Sequence, residues 1–143
     1  MFVGTYYHTL EDQNRISVPK SFRTDLNPGS VITYGLDGCL FLFTPDSWSK
    51  LSDKLSSLPL TNKAARDFLR LLTDNATPVE LDKLGRTKLS SSIVKLAGLK
   101  KDVVFAGALT RVEIWDKDRY HTYVDGLTSQ TGELENTLSE LGI

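Results

Sequence analysis

Two stretches decide how this chain folds: Leu10-Glu11-Asp12-Gln13-Asn14-Arg15-Ile16-Ser17-Val18 and Leu81-Asp82-Lys83-Leu84-Gly85-Arg86-Thr87-Lys88-Leu89, which lie 71 positions apart. Each opens on leucine, places a carboxylate next, and reaches an arginine four residues after that carboxylate. A fixed offset of this kind is the signature of an internal repeat. With one residue inserted, Val31-Ile32-Thr33-Tyr34-Gly35 falls on Val103-Val104-Phe105-Ala106-Gly107, and Leu40-Phe41-Leu42-Phe43 on Val112-Glu113-Ile114-Trp115. Asp46 then meets Asp118, and Trp48 meets Tyr120. The matches keep their order across about 50 residues, so the chain reads as a duplication.

Outward from the first stretch, strands are predicted over 3–10 and 14–18. Pro19 opens a short helix carrying Phe22 and Leu26, since proline suits a first helical turn. Asn27-Pro28-Gly29 ends it. Strands over 30–35 and 39–43 flank Leu36-Asp37-Gly38, where Asp-Gly is a strong hairpin signal. In the second copy the turns are Lys83-Leu84-Gly85 and Ala108-Leu109-Thr110. Ser90 caps a short helix that stops at Gly98. Between the copies, Trp48, Leu51, Leu55 and Leu58 recur at helical spacing, with Asp46 as the expected N-cap. After Pro59, Thr61 is expected to cap a second helix with Ala65, Phe68, Leu69 and Leu72 on its apolar face. Asp116–Asp125 reads as a terminal helix closed by Gly126, and 128–132 as a loop leading into a mobile acidic end.

A four-strand unit of about 45 residues cannot bury both faces of its sheet. Pairing with its twin solves this and removes open edges. The expected fold class is therefore β-rich α+β: two repeats interleave their hairpins in one barrel about a pseudo-two-fold axis, with connecting helices. The expected organisation is repeat 1 over 5–47, a helical connector over 48–75, repeat 2 over 76–119, and a terminal helix with acidic tail over 120–143.

The 143 residues have room for one ordinary domain, and 40% apolar content is enough for a core. No apolar run reaches the roughly 18 residues that span a bilayer. Met1-Phe2-Val3-Gly4-Thr5 lacks the basic and apolar regions of a secretory signal, so a cytoplasmic location is expected. Cys39 is the lone cysteine, no Cys/His spacing suggests zinc, and Asp37-Gly38 lacks the alternating ligands of a calcium loop. No metal, no cofactor and no small-molecule substrate are expected. His8 and His121 have no nucleophile or carboxylate at motif spacing, so the chain is not expected to be an enzyme. Cys39 reads as a small core residue; Trp48, Trp115 and Tyr120 read as packing or interface residues. Lys63, Arg66, Arg70 and Lys100-Lys101 read as solvated basic faces.

Net charge is −1, which by itself argues against nucleic acid. The charge is uneven. Residues 125–143 hold Asp125, Glu133, Glu135 and Glu140 and neither Lys nor Arg, so residues 1–124 carry 17 positive and 14 negative groups, a net +3.

The distinctive chemistry is acid-x-x-x-Arg across a tight turn, as Glu11…Arg15 and Asp82…Arg86. A turn brings the pair within reach of a charge-assisted hydrogen bond. Read blandly, this is a turn staple worth about 0–1 kcal/mol. Read functionally, each carboxylate fixes a guanidinium in one rotamer and leaves its other donors aimed outward, suited to phosphate or guanine edges. Occurrence at both repeat positions favours the second reading.

On these residues the chain resembles the MraZ family. Gly4-Thr5-Tyr6, His8-Thr9-Leu10-Glu11-Asp12, Arg15-Ile16-Ser17-Val18-Pro19 and Phe22-Arg23 look like its opening. Gly35-Leu36-Asp37-Gly38-Cys39-Leu40 and Leu58-Pro59-Leu60-Thr61-Asn62 look like its middle. Glu80-Leu81-Asp82-Lys83, Gly85-Arg86, Ala97-Gly98-Leu99 and Glu113-Ile114-Trp115 look like its second half. The likeness runs over about residues 1–125 and leaves the tail uncovered. It implies an AbrB-like swapped-hairpin, double-split β-barrel. It also implies a nucleoid-associated transcriptional regulator that binds double-stranded DNA at short direct repeats upstream of the division and cell-wall gene cluster. The homo-oligomer would be a ring, with no membrane partner.

Carried over residue by residue, the family's Asp-x-x-x-Arg motif falls on Arg15, Arg86 and Asp82. Glu11 stands where the family usually has Asp, and Asn14 replaces the glycine of the first turn. Thr87, Lys88 and Ser90 replace apolar residues and proline, which either adds donors beside Arg86 or loosens the second hairpin. The DNA-contacting set expected is Arg15, Arg86, Lys20, Arg23 and Lys88, with Glu11 and Asp82 positioning the arginines. A ring would present this set many times and raise avidity by about 10²–10⁴. The alternative is an antitoxin-like or structural module that engages a protein partner through the acidic tail.

Overall fold

The computed structural model describes residues 1–26 and 28–143. The chain forms β1 (Thr5–Glu11), β2 (Arg15–Ser17), α1 (Lys20–Arg23), β3 (Val31–Tyr34), β4 (Leu40–Phe43), α2 (Pro45–Ser56) and α3 (Lys63–Asp74), then β5 (Thr77–Pro78), β6 (Arg86–Lys88), α4 (Ser91–Leu96), β7 (Asp102–Gly107), β8 (Arg111–Asp116), α5 (Lys117–Thr128) and α6 (Thr131–Glu140). The predicted end of α1 at Asn27 lies outside the described residues.

The strands make one antiparallel sheet in the order β5-β3-β4-β8-β7-β1-β2-β6. Exchanging the repeats exchanges the pairings. β1 of the first copy lies on β7 of the second, and β5 of the second lies on β3 of the first. The two like-with-like pairs, β4·β8 and β2·β6, sit on the pseudo-two-fold axis. Beyond β6, the Asp82 amide donates to the Arg86 carbonyl at 2.9 Å and the Val79 amide to the Ser30 carbonyl at 2.9 Å, which curls the sheet back toward its first strand. This is the expected swapped-hairpin, double-split barrel, and neither repeat has a complete sheet without the other.

The interior follows the pleat. Ile16, Ile32, Leu40, Leu42, Leu89, Ile93, Val103, Phe105, Val112 and Ile114 are all but solvent-free and fill one cluster drawn from both repeats. Each such side chain contributes about 1.5–3 kcal/mol by leaving water. A second cluster, Cys39, Phe41, Phe43, Val104 and Trp115, lies on the opposite face, where Trp48 and Leu51 of α2 and Tyr120 of α5 cover it. The aromatic residues and Cys39 are thus packing groups, as expected. Gly107 is required by proximity: a Cβ there would collide with the backbone of Phe2 and Val3, where the N-terminal segment bridges to Leu109.

Local signals behave unevenly. Asp37 and Gly38 hold φ of 62° and 84°, the left-handed pair that a tight hairpin requires. The Ser90 hydroxyl accepts from the Ile93 amide at 3.3 Å, and Gly98 leaves α4 at φ 60°. The caps of the connector shift by a residue or two. α2 is capped by Thr44, whose Oγ1 accepts from the Ser47 amide at 3.1 Å, because Pro45 takes the first helical position. Asp46 instead pairs with Lys50 at 2.9 Å. α3 is capped by Asn62 rather than Thr61, through Oδ1 to the Ala65 amide at 3.0 Å. Asp67 pairs with Lys63 and Arg70 on the exposed face of α3. Thr33 donates to the Leu72 carbonyl and pins the end of α3 to β3.

The C-terminus differs most from expectation. Gly126 does not close α5, which is capped by the Asp116 carboxylate accepting from the Arg119 amide at 3.3 Å and continues to Thr128. The acidic end is helical over Thr131–Glu140, not an unstructured tail. A glycine costs only about 1 kcal/mol in an exposed helix, and the leucines beyond it keep a helical spacing. Among the described residues no helix is long and apolar enough to cross a membrane.

Candidate nucleic-acid interface

The candidate site is built on the central ribbon β2·β6. Its register sets Arg15 opposite Lys88, Ile16 opposite Thr87, and Ser17 opposite Arg86. Alternation sends Ile16 and Thr87 inward, where both are buried. Arg15, Ser17, Arg86 and Lys88 therefore share the outward face of two short strands, each taken from a different repeat. Thr87 is core, not a donor beside Arg86, and the cross-strand neighbour of Lys88 is Arg15. The register is nonlocal, so repeat alignment alone did not reveal it. Ser17 was missed; its signal was the two-residue alternation Arg15-Ile16-Ser17.

The two turns that frame this face are not alike. In the second, Asp82 Oδ1 accepts from the Leu84 and Arg86 amides, each at 2.9 Å, and Oδ2 accepts from Arg86 Nε at 2.9 Å. One carboxylate thus closes the turn and grips the guanidinium. These bonds, the Arg86 amide foremost, hold the Asp82 carboxyl below its ordinary range. Among the described residues the terminal amino groups of Arg86 make no hydrogen bond, so they remain available at the surface. In the first turn Glu11 lies opposite Arg15 in register, yet the two form no ion pair among the described residues. The turn is closed by backbone shape: Gln13 and Asn14 sit at φ 63° and 57°. The two turns differ in backbone as well as in the acid, since only Gly85 is left-handed in the second. Arg86 is preorganised; Arg15 is not.

Arg23 occupies a different place. Its Nε donates to the Val18 carbonyl at 2.7 Å, and its guanidinium lies against the backbone of Gly85. Gly85, at φ 77°, is buried under it and accepts from the Val18 amide at 3.0 Å through its carbonyl. Arg23 of repeat 1 is therefore a strut beneath the turn that carries Arg86 of repeat 2. Partial burial, and then the Arg23 charge, hold His8 below the ordinary imidazole value. Lys20 opens α1, exposed, three residues past the end of β2.

Chemically, the face sets Arg15 and Lys88 directly across from each other in register, a like-charge arrangement that is destabilising. An anion between them would relieve it. Among the described residues no cluster of His, Cys, Asp and Glu has the makings of a metal site.

Comparison with known proteins agrees with this architecture. A family described as "MraZ protein, putative antitoxin-like" matches the chain twice, over residues 1–71 and 72–139, the two matches meeting inside α3. The chain is 42% identical over 143 residues to the transcriptional regulator MraZ of Alkaliphilus metalliredigens, covering all of both chains. It is 44% identical over 143 residues to that of Clostridium beijerinckii, again at full coverage of both. To that of Clostridium botulinum strain Alaska E43 it is 46% identical over 123 residues, which is 86% of this chain and 87% of the relative. A duplicated family match laid over two interleaved half-barrels, with relatives above 40% identity from end to end, places the chain in the MraZ family of transcriptional regulators.

Proposed function

We propose that this chain is a sequence-specific DNA-binding regulator that represses its own operon by binding short direct repeats upstream of the division and cell-wall gene cluster. It works in the cytoplasm, associated with the nucleoid, as a homo-oligomeric ring. The observation that carries this reading is the outward face of β2·β6, where Arg15, Arg86 and Lys88 converge from two repeats with Asp82 aiming Arg86. A two-stranded ribbon fits the major groove, where a bidentate arginine reads guanine O6 and N7. Arg86 and Arg15 read bases; Lys88 and Lys20 meet phosphates. Arg23 serves the same surface from beneath, with its Nε committed to Val18. Net charge per chain matters little when one surface is repeated around a ring. No catalytic step is part of this function.

The test is a gel-shift series on the protein's own upstream region at several salt concentrations. Each of Arg15→Ala and Arg86→Ala should weaken specific binding by about 5- to 150-fold, the worth of one good bidentate base contact. Lys88→Ala should weaken all sequences alike and lower the salt slope by about one. If both arginine variants bind the repeats normally with the oligomer intact, the proposed surface is wrong.

A further inference from the structure

We infer that α6 of one copy docks into the apolar cleft between α2, α3 and β4–β8 of a second copy, joining neighbouring subunits. This deepens the oligomeric reading proposed above and rests on it.

Three observations converge. First, every residue from Thr128 to Ile143 is exposed, yet Leu134, Leu138 and Leu141 recur at the spacing of one helical face. A helix of ten residues with no buried face is marginal in water, so this one needs a surface to lie on. Second, a cleft of about 340 Å³ lies between the connector helices and the sheet, floored by Phe41, Phe43, Leu51 and Phe68. Third, the charges complement one another. Lys54 stands in the cleft wall with no ion pair among the described residues, beside Lys50 and Arg111, which pair with Asp46 and Glu113, whereas Glu133, Glu135 and Glu140 flank the leucine face of α6. An amphipathic helix laid in a groove of opposite charge is a common recognition mode.

The occupant is a second copy. Two α6 helices packed on each other would oppose glutamates without a compensating cation, since no Lys or Arg follows Arg119. Docking in the helix's own chain would require the α5–α6 corner to open. Only Ser129 and Gln130 separate the two helices, and the Gln130 amide donates to the Leu127 carbonyl at 3.0 Å, so the corner offers no slack linker.

The experiment uses full-length chains. Thr137→Cys places a thiol at the edge of the α6 face; Ser47→Cys places one in the cleft wall. Cys39 is a silent background, being buried with its thiol donating to the Leu36 carbonyl. Mixing the two singly substituted proteins under mild oxidation should give a mixed cross-linked dimer. Lys54→Glu should reduce it, and adding Glu135→Lys should restore it. Leu134→Glu with Leu138→Glu should abolish it and shrink the oligomer in sedimentation, while binding of a single operator repeat stays unchanged. Three results overturn the inference: dimers of the Thr137→Cys protein alone, no cross-link in an oligomer that persists, or a chain that is monomeric throughout. DNA binding is judged independently, by the arginine variants, so a failure of this docking and a failure of the DNA-binding surface are distinguishable.

Discussion

Replacing Gly85 with alanine probes the joint between the two repeats, and its cost can be worked from geometry. Gly85 sits at φ 77°, a conformation that costs a residue with a Cβ about 1–2 kcal/mol. An ideal Cβ would also collide with the Arg23 guanidinium, so Arg23 must move. Moving it gives up the 2.7 Å bond from Nε to the Val18 carbonyl. A hydrogen bond from a charged donor is worth about 1.5–3 kcal/mol, and the half-exposed setting of Arg23 puts it at the low end. The total is about 2–4 kcal/mol, or a fall in Tm of about 6–15 °C for a chain of this size. The decisive assay is a double-mutant cycle read by thermal or urea unfolding. In an Arg23→Ala background there is no guanidinium to displace, so Gly85→Ala should cost only its backbone share of about 1–2 kcal/mol. The coupling would then be about 1–2 kcal/mol. Equal cost of Gly85→Ala in both backgrounds would refute the strut, and with it the support that a repeat 1 residue lends to the turn bearing Arg86.

Other expectations follow from the same geometry. Gln13→Gly should stabilise by about 0.5–1 kcal/mol in thermal unfolding, because glutamine at φ 63° carries strain that glycine does not. Because His8 has a lower pKa folded than unfolded, the unfolded chain binds more protons on the acid side of the usual value of 6.5. Stability should therefore decline as pH falls from about 7 through that window, and His8→Gln should flatten the decline in Tm measured across pH. Burial pushes the Cys39 thiol far above its ordinary range, so it should resist a thiol reagent in the native protein and react at the global unfolding rate. Rapid native-state labelling would contradict the packing of the second core cluster.

Much of the fold was legible because its signals are local or periodic. Asp37-Gly38 marks its hairpin because only certain residues accept two consecutive left-handed conformations. Ser90 and Gly98 mark α4 because a side-chain oxygen and a missing Cβ satisfy opposite helix ends. The caps of α2 and α3 were misplaced because Thr44, Asp46, Thr61 and Asn62 all can cap, and only the surrounding backbone chooses. The helical end beyond Thr131 was missed because acidic, polar composition reads as tail while its leucines hold the helical phase.

The site divides along the same line. The amino-acid sequence by itself determined that there are two repeats, that each carries an acid and an arginine across a turn, and that neither can close a barrel alone. Those properties reside in residue type and spacing within a few positions of the chain. Only the tertiary structure decided that Arg15 faces Lys88, that Arg23 braces Gly85, and that Asp82 grips its arginine while Glu11 does not. Each of these depends on strand register between segments some 70 residues apart, or on the backbone shape of each turn. Cross-strand register is set by how two apolar faces meet in a common core, and that packing exists only once both repeats have folded onto each other.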